Sequence, residues 1–106
     1  MERPLIVCLC GSTRFREAFQ EVNRQETLAG RIILAPGVFG HSGELAPVDC
    51  ESGPLKEALD ELHLRKIDLA DEVLVLNVGG YVGSSTRREI DYALAMRKPV
   101  RFLEAP

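Results

Sequence analysis

A chain of 106 residues lies at the commonest size for one domain, and two folded units cut from it would each bury too little apolar surface. With 45% apolar and 27% charged residues, it has the composition of an ordinary globular protein and not of a disordered one. The 13 Lys and Arg against 16 Asp and Glu leave a net charge of −3, which offers no footprint for a nucleic-acid polymer or an anionic membrane; no apolar run reaches the ~20 residues of a membrane helix, so the expectation is one cytoplasmic domain, residues 1–106, with a small-molecule partner.

The first element is a short β-branched run from Pro4 to Cys10, closed by Gly11, which reads as a strand buried on both faces. Ser12 or Thr13 then stands where a helix N-cap belongs, and Phe15, Ala18, Phe19, Val22 and Leu28 recur at helical spacing up to Gly30. Arg31 to Ala35 is a second strand. From Pro36-Gly37 to Gly53 the chain is rich in Gly, Pro, Ser and Asp; a loop longer than ~12 residues is usually functional, so this one, carrying His41, is expected to act as a lid. Pro54 fits the first turn of a second helix, whose inward stripe is predicted as Leu55, Leu59, Leu62, Lys66 and Leu69. Val73 to Val78 is a third buried strand, broken by Gly79-Gly80. Thr86, Ile90, Ala93 and Leu94 trace the inner face of a third helix ending at Lys98-Pro99, and Val100 to Leu103 is the last strand.

Four strands alternating with three helices through right-handed crossovers predict an α/β fold: an open parallel four-stranded sheet, order 2-1-3-4, with helices on both faces. That order puts a topological switch point between strands one and three, where open α/β sheets bind ligands beyond the carboxyl ends of the strands. Two turns of similar chemistry lie there, Gly11-Ser12-Thr13-Arg14 and Gly83-Ser84-Ser85-Thr86. Each combines glycine, hydroxyls and a helix start, so that unpaired amides and the positive helix end can face an anion, and Arg14 can add a planar fork. Neither is a Walker loop or a complete GxGxxG fingerprint, and the expected ligand is a phosphate or sugar phosphate. Taken singly, these hydroxyls read equally as plain helix caps.

Glu89 is the most informative carboxylate. A surface helical Glu usually finds a cation three or four residues away, but Glu89 has Ser85 and Thr86 before it and Tyr92 and Ala93 after it. It borders the Ile90 and Ala93 stripe one turn into the helix that opens at the switch point. Partial burial there would raise its pKa toward that of a working acid, base or nucleophile. No metal is expected: Cys8 and Cys10 alternate in an apolar strand as small hydrophobes, Cys50 leaves an odd number, and His41 and His63 lie far from the pair in sequence.

Three patterns, Cys10-Gly11-Ser12-Thr13-Arg14, Ala70-Asp71-Glu72-Val73-Leu74-Val75 and Gly83 followed by Arg88-Glu89-Ile90-Asp91-Tyr92-Ala93, resemble the nucleoside 2-deoxyribosyltransferase superfamily, and within it the 2'-deoxynucleoside 5'-monophosphate N-hydrolases. The resemblance covers nearly the whole chain in order. It implies a flavodoxin-like sheet and a cofactor-free cleavage or transfer of an N-glycosidic bond on a nucleotide or nucleoside. Glu89 would be the nucleophile, Gly11, Ser12 and Arg14 would contact the ligand, and Gly83, Ser84 and Ser85 would hold the 5'-phosphate. Where the family carries a catalytic Asp this chain has His63, which could serve as general acid or could be a half-buried helix residue; Asp60 and Asp68 do not match that position. Family chains often continue into a fifth strand, and ending at Pro106 exposes a sheet edge at which a homodimer could form. A non-catalytic nucleotide-binding or sensor domain of the same fold is the alternative.

Overall fold

The computed structural model describes residues 2–39 and 53–106. Strand β1 (Ile6–Cys10) leads through a turn to helix α1 (Arg16–Leu28), and β2 (Ile32–Leu34) follows. Helix α2 (Gly53–Leu69) feeds β3 (Glu72–Val75), a 3-10 turn at Val78–Gly80 leads to α3 (Ser84–Ala95), and β4 (Val100–Phe102) completes the sheet. All strands are parallel in the order β2-β1-β3-β4, with Val7 opposite Ile33 and Cys8 opposite Val73. This is the flavodoxin-like α/β architecture expected from the alternation of elements. Among the described residues no helix is long and apolar enough to cross a membrane.

The period-2 alternation of β1 divides the core in two. Val7 and Leu9 point to one face with Leu74 and Leu76, where Phe19 and Val22 of α1 cover them. Cys8 and Cys10 point to the other face with Val73 and Val75, where Ile67 of α2 and Ile90 and Ala93 of α3 cover them. Every β1 residue from Val7 to Cys10 is fully buried, as a strand sandwiched between helices requires.

Two local readings need correction. Helix α1 does not start at Ser12 or Thr13: its N-cap is Phe15, with no side-chain cap, and the preceding residues form a turn closed by the Phe15 amide donating to the Ser12 carbonyl at 3.1 Å. The leucine stripe of α2 is not its inner face. Leu55, Leu62 and Leu69 are 43%, 53% and 67% exposed, whereas His63 and Ile67 are buried. The predicted lid, with His41, falls almost wholly outside the described residues, as does Cys50.

Candidate functional site

The carboxyl ends of β1, β2 and β3 open into one cleft of about 510 Å³, well within the ~300–1,000 Å³ of small-molecule sites. Every residue singled out from the sequence lines it: Gly11, Ser12, Thr13 and Arg14 from the first turn, His63 from α2, Gly83, Ser84, Ser85 and Thr86 at the start of α3, and Glu89 one turn further on. Pro36, Gly37 and Val38 after β2 close a third side.

The two turns play different parts. At the second, Gly83 is the N-cap of a 12-residue helix and makes no side-chain cap hydrogen bond, so the first-turn amides of Ser84 to Thr86 have no intrahelical acceptor and the positive helix end faces the cleft. At the first, α1 begins later, and the local amides are engaged differently: Ser12 Oγ accepts from the Arg14 backbone N–H at 3.3 Å and from Arg14 Nε at 3.1 Å. Of the two turns, only the second opens directly into a helix N-terminus that faces the cleft, while the first supplies a hydroxyl and a guanidinium. Arg14 is held over the Tyr81 ring at 4.5 Å, and Phe15 meets the same ring edge-on. Gly11 lines the cleft and also serves packing, since a Cβ there would lie 3.1 Å from the Leu76 carbonyl and 3.3 Å from Phe19.

Sequence reasoning overlooked Lys56 and set Asp60 aside. Both line the cleft from the first half of α2, with Lys56 Nζ donating to Asp60 Oδ2 at 2.6 Å and to Ser85 Oγ at 2.8 Å. Lys56 thus brings a cation to the α3 N-terminus, and Asp60 is a second carboxylate in the same cleft as Glu89. The signal was available: Lys56, Asp60, His63 and Ile67 follow the 4-3-4 helical spacing that the exposed leucines obscured.

Glu89 and His63 meet at the floor of the cleft. The Glu89 side chain is only 12% exposed, and its Oε1 lies 4.0 Å from His63 Nε2. Burial pushes the Glu89 carboxyl up to about 7, against the opposing pull of His63 and a Cys10 hydrogen bond. His63 is 7% exposed; burial pulls its pKa down, but the Cys8 hydrogen bond and the Glu89 charge outweigh that and raise it. It is therefore buried rather than half-buried, with Nε2 at 3.6 Å from Cys8 Sγ and 3.4 Å from Cys10 Sγ. The hydrogen bond with Cys8, together with burial, holds the Cys10 thiol well above its ordinary range. The separation in sequence that argued against a metal set is closed by the fold, because Cys8, Cys10 and His63 project from β1 and α2 into the same layer.

Asp71, next to the cleft-forming elements but not in the cleft, accepts from the Ile6 amide at 2.8 Å and pairs with Arg3. It anchors the entry to β3, as its place before that strand suggests. Neither the protein-family models nor the curated proteins compared with the chain match it.

Proposed function

We propose that this domain cleaves or transfers the N-glycosidic bond of a small (deoxy)nucleoside 5'-phosphate, in the manner of the nucleoside 2-deoxyribosyltransferase-like proteins its motifs resemble. The observation that carries the reading is a desolvated carboxylate, Glu89, in the same cleft as a helix N-terminus flanked by Lys56 and Ser85. A helix end with a lysine suits a phosphate, and a buried carboxylate of raised pKa suits attack on an anomeric carbon. In this mechanism a Glu89 oxygen bonds to the anomeric carbon through an oxocarbenium-like transition state, and the C–N bonding pair leaves with the base. A proton from His63 neutralises the leaving base. Water or a second base then displaces Glu89, the retaining logic of glycosidases applied to a C–N bond. The ring of Tyr81, oriented by Arg14, offers a surface for stacking.

The test is release of free base from a panel of nucleoside monophosphates, followed by chromatography. Wild-type protein is expected to release base, and Glu89→Gln to lose the release while keeping its fold. Full activity in the Gln variant refutes the assignment. One observation favours the second reading, a nucleotide binder without chemistry: His63 is buried against two thiols rather than standing free as an acid. That reading predicts a ligand-induced rise in melting temperature with no base released.

A further inference from the structure

Cys8 and Cys10 leave the period-2 strand β1 on the same face, and α2 lays His63 across them in the layer between sheet and helices. The Sγ atoms of both cysteines and a ring nitrogen of His63 all lie within 4.8 Å of one another. The two S···N distances, 3.6 and 3.4 Å, are informative. A metal bound to sulfur at about 2.3 Å and to nitrogen at about 2.0 Å with a tetrahedral angle separates those atoms by roughly 3.5 Å. The two S···N separations thus match tetrahedral edge lengths, and the two sulfurs lie within 4.8 Å of each other. Glu89 Oε1 lies 4.0 Å from the same His63 nitrogen, outside the three-residue cluster but beside it.

We propose that Cys8, Cys10 and His63 form a binding site for a thiophilic divalent cation of the zinc class, with Glu89 as the fourth ligand reached from the cleft. The donor set is two soft sulfurs, one imidazole and one carboxylate, which selects zinc, cobalt or cadmium over magnesium or calcium. His63 and Glu89 both line the cleft, so the cation enters where a substrate would. Binding takes both cysteines as thiolates, Glu89 as carboxylate and His63 with a free ring nitrogen, so whatever protons these four groups carry are released, and the site is left with a net charge of −1, two thiolates and a carboxylate against the dication. Occupancy engages both His63 and Glu89 and so withdraws them from any reaction in the cleft. The metal site does not depend on the glycosidic reading, and its test is spectroscopic.

The full chain, reduced, stripped with a chelator and freed of it, is titrated with Co2+ alone. One equivalent is expected to bring up thiolate-to-cobalt charge-transfer absorption in the near ultraviolet and d–d bands of tetrahedral intensity in the red, both abolished by added Zn2+. Cys10→Ser and His63→Asn are expected to weaken Co2+ binding more than ~100-fold, beyond the ~10–100-fold that loss of an outer-shell partner costs. Cys50→Ser is expected to leave the spectrum unchanged. Glu89→Gln is expected to weaken binding by at least ~100-fold, as loss of a ligand should, while retaining the sulfur bands. Because the wild-type chain is itself the primary sample, a variant that fails to fold does not blunt the test. Folded wild-type protein without a sulfur-to-cobalt band overturns the site, as does a band that survives Cys10→Ser or disappears with Cys50→Ser.

Discussion

Glu89→Gln should make the protein more stable, by an amount that grows as pH rises from about 5 to about 7 and is constant above. Burial raises the folded-state pKa of Glu89 from the ordinary 4.5 to about 7. A group whose folded pKa lies above its unfolded value contributes fully at pH below the unfolded value, and that contribution is lost as pH rises through the folded one. Between 4.5 and about 7 the unfolded chain ionises Glu89 while the native state resists, so stability falls. Above about 7 both states are ionised and the penalty is constant. At ~1.4 kcal/mol per pH unit the full penalty is roughly 3 kcal/mol, an order-of-magnitude figure for a side chain so little exposed. The groups facing it are His63 and Asp60 from α2 and Cys8 and Cys10 from β1, and of these only His63 offers a compensating charge. Gln keeps the volume and the neutral state of the protonated acid. In chelator-containing buffer, urea unfolding at about pH 8.5 should show the Gln variant more stable by ~2–3 kcal/mol, or on the order of 10 °C in Tm, with less than ~1 kcal/mol of difference near pH 5. A Gln variant equally or less stable than wild type at the alkaline pH would refute the desolvation argument.

If Glu89 acts as a nucleophile, base release by metal-free protein should rise with pH through about 7, because only the carboxylate attacks; a rate flat across that range would contradict the assignment. Lys56→Ala should weaken binding of a nucleoside monophosphate about 10-fold and leave the dephosphorylated nucleoside unaffected, as calorimetry can separate. Ile67, fully buried between α2 and the sheet, should cost ~2–5 kcal/mol on truncation to Ala by denaturant unfolding. Asp71 is held well below the ordinary carboxylate range by Arg3 and the Ile6 amide, so its stabilisation exists above the unfolded carboxylate pKa and is lost as pH falls. Asp71→Asn should therefore narrow the difference in Tm between neutral and acidic solution.

The fold was legible because buried parallel strands advertise themselves as short apolar runs ended by glycine, and because alternating elements allow few topologies. Gly11 and Gly79-Gly80 mark the strand ends to within a few residues. The cleft was legible for the same reason, since the switch point follows from strand order. The inner face of α2 was not. That helix has two tasks along its length: its last turns bury Ile67 against the sheet, and its first turns present Lys56 and Asp60 to the cleft. A face half polar by function carries no apolar period, and the exposed leucines at seven-residue spacing supplied a false one. The cap of α1 was misread because Ser12 does accept a local amide, but in a turn that delays the helix to Arg16. The Cys8, Cys10 and His63 cluster was invisible because His63 lies more than fifty residues from the two cysteines and meets them only through tertiary packing.

The composition of that cluster bears on what the layer is for. The packing around it is aliphatic, with Val73, Val75, Ile67 and Ile90 filling the space between sheet and helices. Continuing the same pattern through His63 and Glu89 would remove a carboxylate whose ionisation opposes folding at neutral pH and an imidazole desolvated among thiols. Replacing such buried ionisable groups with well-packed apolar residues is commonly neutral or stabilising. Stability therefore gives no reason for Glu89 and His63 to stand at the one end of this layer that opens into a cleft. Their position beside the α3 N-terminus, with Lys56 and Asp60 bracing the rim, suits the proposed reaction on an anionic substrate and the proposed soft cation alike. The two uses compete for the same atoms, so a cation seated on the thiols would silence the carboxylate, and a substrate seated on the carboxylate would exclude the cation.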